Sequence, residues 1–411
     1  MRLALLASCL FFGSAWAAGV DDPAVEQLKS SPDAQAGAAP EAHGHALMHM
    51  SAGLATADDC KKAGAFADAV GSDQQKLING AVGGRGHRTQ HALWHATRGG
   101  LSDKETAQVL AAYGASWGQS HAYCPPPKAD FTASDYNPVG EDFLYMHRQM
   151  IGGVRSALLG GRQRCVAGWK TIPDPAQWPL PDGDTSGPKS PETLAQLKAW
   201  DAKLEDPAWL ASVSLSQLGM AIELTTHNNL HMRYATTKPP KGFEAAEEAG
   251  GAPLPFDGKF PADWPYDDPA YNWLADPYSA ALNPTFWKIH GYVDALIDKW
   301  LAAHGFDKIA EDCAGAARCY QWKGTWSGTV PTYSDAPPRD GARLGKPGQK
   351  PPMDPRTKRF NEERMRRAQL GVIGGPRVGA PRDRVPLPGA SAPPSNDPFE
   401  YAAAQACGGA R

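Results

Sequence analysis

The sequence predicts a mainly α protein with long irregular loops. Three observations point there. Apolar residues recur at helical spacing through seven segments, roughly 62–79, 88–98, 103–116, 141–159, 191–203, 214–235 and 284–303. Pro- and Gly-rich stretches separate them, notably 171–190 and 236–283. Strand-like alternation is sparse, with one short hairpin expected in CYQWKGTWSGTVP at 318–330. No internal repeat is visible.

The segments fall within four zones. Residues 1–17, MRLALLASCLFFGSAWA, place one charge before an apolar run and end on a small-x-small site, the pattern of a secretory signal peptide cleaved after Ala17. Leu6-Ala7-Ser8-Cys9 mimics a lipoprotein cleavage box, but the apolar run continues past Cys9. Residues 18–56 are rich in Ala, Gly, Pro and Glu and read as a disordered leader containing His and Met. Residues 57–330 hold nearly all the aromatic residues and the apolar periodicity, and form the expected folded domain. Residues 331–411 are a Pro/Arg/Gly-rich tail that reads as solvated, with one short helix near 355–370.

Charge and composition narrow the function. The 411 residues carry 41 Lys+Arg against 44 Asp+Glu, a formal net charge of −3, which gives no reason to expect a nucleic-acid or membrane partner. The tail is locally basic, with 13 Lys+Arg against 5 Asp+Glu from Arg339 to Arg384, but it lacks the interleaved aromatics of a nucleic-acid platform. No later stretch is apolar and long enough for a membrane helix. A secreted or periplasmic location is expected. Of the seven cysteines, Cys9 leaves with the signal peptide. The remaining six, Cys60, Cys124, Cys165, Cys313, Cys319 and Cys407, suggest disulfides in an exported chain. Sequence does not choose among the fifteen connectivities of three bridges, although Cys313 and Cys319 are close enough to close a small loop.

Ten of the twelve histidines precede residue 232. His91-Ala-Leu-Trp-His95 sets two imidazoles at i and i+4, on one helix face, where both reach one metal ion. His227-Asn-Asn-Leu-His231 repeats the arrangement. One HxxxH is a weak signal. Here each pair is followed by a lone histidine in an apolar helical segment, His147 in FLYMHRQM and His290 in NPTFWKIHGYVD. Two pairs and two single residues make two three-imidazole sites. All-nitrogen ligation suits copper, zinc, iron or nickel. A zinc-peptidase reading fails, because Ala92 stands where HExxH requires the general base.

These segments resemble the type 3 copper proteins, the tyrosinase, phenoloxidase and hemocyanin superfamily. FLYMHRQM at 143–150 resembles the third ligand segment of the first copper site in the arthropod branch, and His91 and His95 match the HxxxH that precedes it. THNNLH at 226–231 resembles the second-site HNxxH, and NPTFWKIHGYVDALIDKW at 283–300 resembles the DPxFxxHxxxDxxxxxW segment, with Asn283 in place of the usual Asp. The resemblance covers about 210 residues, and the gaps from His95 to His147 and from His231 to His290 exceed the family norm.

The resemblance implies two copper ions, one held by His91, His95 and His147 and the other by His227, His231 and His290, within a helical bundle. A rival remains, since His121-Ala-Tyr-Cys124 resembles the HxAYC segment of plant catechol oxidases and would substitute His121 for one of the first pair. The implied activity is oxidation of small phenols or catechols to o-quinones with dioxygen. The alternatives are a hemocyanin-like oxygen carrier and a catalytically silent copper binder. Asn228, with Glu223 one turn before His227, is implied to hold the water that deprotonates a phenol. Phe286 is expected to lock the His290 ring, and Asp294 to accept a ligand N–H or pair with an Arg such as Arg148 or Arg233. His43, His45, Met48, His49 and Met50 could collect copper, which leaves room for a copper donor as partner, and the tail could cover the site.

Overall fold

The computed structural model describes residues 54–64, 66–97, 107–108, 111–113, 139–255 and 257–323. Within them the protein is mainly helical, as expected. The order is α1 (Ala57–Lys62), α2 (Ser72–Val82), α3 (Arg85–Thr97), α4 (Val139–Gly160), α5 (Pro191–Leu204), α6 (Pro207–Ser212), α7 (Leu215–Ala221), α8 (Asn228–Tyr234), α9 (Ala245–Ala249) and α10 (Pro284–Ala303). A π-helical segment, Ile222–His227, joins α7 to α8 without a break.

Local chemistry sets where these helices start. Ser190, Asp206 and Asn283 each accept a backbone N–H of the first turn, and each is followed by a proline whose missing N–H costs nothing there. Asn283, the residue that departs from the family pattern, therefore serves as the cap of α10. Ser214 and Gln217 close a reciprocal capping box ahead of α7. The expected helix over 62–79 is instead the end of α1 and most of α2, because Gly64 takes a positive φ after α1 and α2 starts only after Gly71. The Cys60–Cys165 disulfide ties α1 to the segment after α4.

Helix α4 is the centre of the bundle. It packs against α2, α7 and α10, while α6 and α8 pack against α10. The α4–α7 crossing runs through Gly140 and Gly219, where a Cβ on either would collide with the other helix's backbone. On α10, Phe286, Ile289, His290, Val293, Leu296, Ile297, Trp300 and Leu301 are all buried, a 3–4 spacing that turns one long face to the core.

Of the hairpin expected at 318–330, residues 324–330 lie outside the described residues. Within them, strand β2 (Cys319–Gln321) pairs in parallel with β1 (Lys308–Ala310), with Ile309 opposite Tyr320. The Cys313–Cys319 disulfide closes the connection, as the spacing suggested. This strap returns to α4: Tyr320 Oη donates to Glu141 at 3.1 Å, Tyr145 Oη bonds Glu311, and Trp322 packs on Tyr145. No helix among the described residues is long and apolar enough to cross a membrane, which with the two disulfides is compatible with export. The helix expected over 103–116 falls largely outside the described residues, with 107–108 and 111–112 helical. The leader up to residue 53, His121, Cys124, Cys407 and the tail also lie outside them.

Candidate metal centre

Four helical stretches bring six histidines together. His91 and His95 come from α3, His147 from α4, His227 from the end of the π segment, His231 from α8 and His290 from α10. Their rings form one continuous cluster. His91 lies 4.8 Å from His95 and 6.2 Å from His147, centroid to centroid, and His147 lies 5.1 Å from His227 and 4.6 Å from His290. His231 lies 4.6 Å from His227 and 5.2 Å from His290. All are buried except His95, which is partly exposed.

Five of the six rings are steered by their Nδ1. His147 and His290 bond the carbonyl one turn back on their own helices, Phe143 O at 2.8 Å and Phe286 O at 2.7 Å. His91 reaches Pro277 O at 2.6 Å and His231 reaches Leu274 O at 2.9 Å, both on the loop before α10. A carbonyl only accepts, so these four rings carry their hydrogen on Nδ1 and turn a bare Nε2 inward. His227 Nδ1 lies 3.0 Å from the Asn228 amide oxygen, which sets it the same way.

The result is that the Nε2 atoms of His91, His147, His227, His231 and His290 carry no hydrogen. His227 Nε2 and His290 Nε2 are 3.0 Å apart, and His91 Nε2 and His95 Nε2 are 3.2 Å apart. Two nitrogens bound to one tetrahedral metal at about 2.0–2.1 Å stand about 3.3 Å apart, so both spacings suit a shared cation. His231 Nε2 is buried and makes no hydrogen bond among the described residues. One ligand atom from each of His91, His95 and His147 lies within 4.8 Å of the others, and the same holds for His147, His227 and His290. The residues present therefore fit metal binding. The grouping differs in detail from the expected partition: His147 belongs to both close groups, while His231 adjoins the second from the α8 side, where Leu274 holds its ring.

Electrostatics keep the rings neutral. Burial, then the neighbouring imidazoles, hold His95, His227 and His290 well below the usual histidine range, and burial brings His231 down to about 4. Neutral imidazole is the ligand form, so the site is ready for a metal without first losing protons.

Aromatic rings wall the cluster. Phe286 stacks on His290 at 3.6 Å and touches the edges of His91 and His231, which makes it the lock expected from its position one turn before His290. Phe143 lies 4.4 Å from His147 and 4.9 Å from His227. Asp294 takes the second of its two expected roles. It is buried and bonds Arg148 at 2.6 Å and Arg155 at 2.9 Å, whereas Arg233 instead bonds the carbonyls of Pro188 and Ser190. Burial raises the Asp294 carboxyl, but the two guanidiniums outweigh it and hold it below its ordinary value. Glu223 is fully buried in the π segment one turn before His227, and Asn228 is beside the His227 ring.

Sequence reasoning missed the partners of Nδ1 in the loop and the π turn. A π turn widens the helix by one residue and often marks a functional site. No known protein-family model and no curated protein matches this sequence.

Proposed function

We propose that this chain is an exported type 3 copper protein that oxidises small phenols or catechols to o-quinones with dioxygen. The observation that carries the reading is the pooling of six imidazoles from two HxxxH pairs and two lone helical histidines into one buried cluster with bare Nε2 atoms facing each other. Two copper ions bound there would supply the activation of dioxygen and the redox steps of phenol oxidation.

The protein's own residues do the rest. The Nδ1 bonds preset five of the six rings, so binding requires little reorganisation. Phe286 and Phe143 exclude water from the inner faces of the rings. His95 is the partly exposed member and Trp94 packs edge-on against it, so a phenol ring approaches from that side. Glu223, in the π segment one turn before His227, is the carboxylate assigned to receive the phenol proton through a water held by Asn228, which is beside the His227 ring. Asn228 commits its oxygen to His227, which leaves its amide N–H groups for that water.

A second reading is favoured by burial. Five of the six imidazoles are buried, which suits an oxygen carrier closed to phenols or a silent copper binder. Full-length copper-loaded protein separates these. Two coppers per chain with steady oxidation of a catechol supports the oxidase. A reversible optical change on oxygenation without turnover supports the carrier. Fewer than two coppers at saturation overturns the binuclear reading.

A further inference from the structure

The loop from Trp264 to Leu282 contributes two backbone carbonyls to the histidine cluster, and they serve opposite ends of it. Pro277 O orients His91 in one close group, and Leu274 O orients His231 beside the other. His147 and His290 need no such help, because their Nδ1 acceptors lie on their own helices. Two of the six rings are therefore only as well placed as this loop.

One buried side chain holds the loop by its backbone. Arg88, on α3 and 1% exposed, donates from Nε to Tyr278 O at 3.0 Å, from Nη1 to Asp267 O at 2.8 Å and from Nη2 to Tyr271 O at 3.0 Å. Its guanidinium lies over the Tyr278 ring, 4.6 Å from the centroid. Within the loop, buried Asp276 accepts from Tyr271 Oη at 2.5 Å, Tyr278 N at 3.1 Å and Ala252 N at 2.6 Å. Asp267 accepts from Tyr278 Oη and from Arg85 Nε, the latter at 2.7 Å. Leu274 and Pro277 lie inside the span that Arg88 grips, and Pro277 immediately follows Asp276. A rigid planar fork reaching three carbonyls is a geometry lysine does not reproduce.

We propose that Arg88, with the Tyr271–Asp276 pair, is a positioning device that presets His91 and His231 together and so couples metal affinity at the two ends of the cluster. The inference deepens the metal-binding reading and rests on it for its effect on affinity, while its effect on the rings stands without metal.

Two full-length variants test it, Arg88→Lys and Tyr271→Phe, the second keeping the ring and losing only the hydroxyl. In metal-free protein, two-bond proton–nitrogen NMR spectra report the tautomer of each histidine. The expected result is that His91 and His231 shift from the Nδ1–H form toward a tautomer mixture, while His147 and His290 keep it. Copper(I) affinity, read by competition with a chromophoric chelator, is expected to fall about 10–100-fold for both metal equivalents. If a folded Tyr271→Phe protein keeps all four tautomers and wild-type copper(I) affinity, the proposal is overturned. A uniform change in all four rings overturns it too, since that is general loosening. If wild-type protein takes up no copper(I), the metal reading fails, and the tautomer spectra still decide the positioning claim.

Discussion

His227 Nε2 and His290 Nε2 face each other at 3.0 Å across the core, one from the π segment and one from α10, with the hydrogen of each ring held on Nδ1. Lone pairs at that distance repel in a site from which water is excluded. A cation between them turns the repulsion into ligation. The arrangement is compatible with a metal site.

His147 stands in both close groups, so in the proposed binuclear site its loss would affect both metals, whereas His95 stands in one. Copper saturation followed by elemental analysis is expected to give about one copper per chain for His95→Ala and less for His147→Ala. Equal copper contents in the two variants would remove the shared role assigned to His147.

His87 lies one turn before His91, is buried, and has neither ring nitrogen hydrogen-bonded among the described residues. Burial, then His91 and Arg88, bring its pKa down to about 3. The folded value is below the unfolded one, so the stability it permits is present above about pH 6.5 and is lost as pH falls toward 3. The full loss is on the order of 5 kcal/mol. His87→Leu removes that titration and two unsatisfied buried atoms, and is expected to gain about 1–3 kcal/mol at neutral pH. Thermal unfolding of metal-free protein should show a higher Tm for the variant and a gap that widens from pH 7 to pH 4. A constant gap would show that His87 does not titrate with unfolding.

The helices that carry ligands were legible because HxxxH spacing and apolar periodicity are side-chain signals. The carbonyls of Leu274 and Pro277 were not, because every residue has a carbonyl and nothing in a side chain marks which one a histidine will meet. For that reason 236–283 read as a separator, although part of it orients the cluster. The π turn was equally hidden: 214–235 reads as one helix, and the helix is continuous, but its middle is wound wider. The parallel pairing of β2 with β1 and the return of Tyr320 and Trp322 to α4 were hidden too, because neither leaves an alternation that a short segment shows.

The two disulfides among the described residues close very different loops, with sequence separations of 105 and 6. By loop-closure entropy the first contributes about 4–5 kcal/mol and the second about 2 kcal/mol. Paired Cys→Ser variants in urea should therefore give a larger fall in midpoint for Cys60/Cys165 than for Cys313/Cys319. The reverse order would mean that the strap over α4, which the short loop shapes, matters more than chain entropy.

Gly291, directly after His290, packs against Gly168 so closely that a Cβ on it would sit 2.5 Å from Gly168 Cα and 2.8 Å from Gly168 N. Both obstacles are backbone, in a segment held on either side by Ala167 N donating to Ala67 O at 2.9 Å and Trp169 N donating to Lys288 O at 3.1 Å. Neither partner gives way without disturbing α10, where His290 is fixed to Phe286 O and to the Phe286 ring. Gly291→Ala is expected to cost about 1–3 kcal/mol by overpacking, a Tm fall of about 2–4 °C per kcal/mol in a domain of this size. Because the displaced element carries His290, copper should be lost with it. Gly160→Ala, at the end of α4 with open space around the added methyl, is the control and should match or exceed wild-type Tm. Scanning calorimetry and copper analysis of both variants check the pair. A Gly291→Ala protein with unchanged Tm and full copper would show that the 167–169 segment yields, and that it does not hold α10 in place beneath the metal ligands.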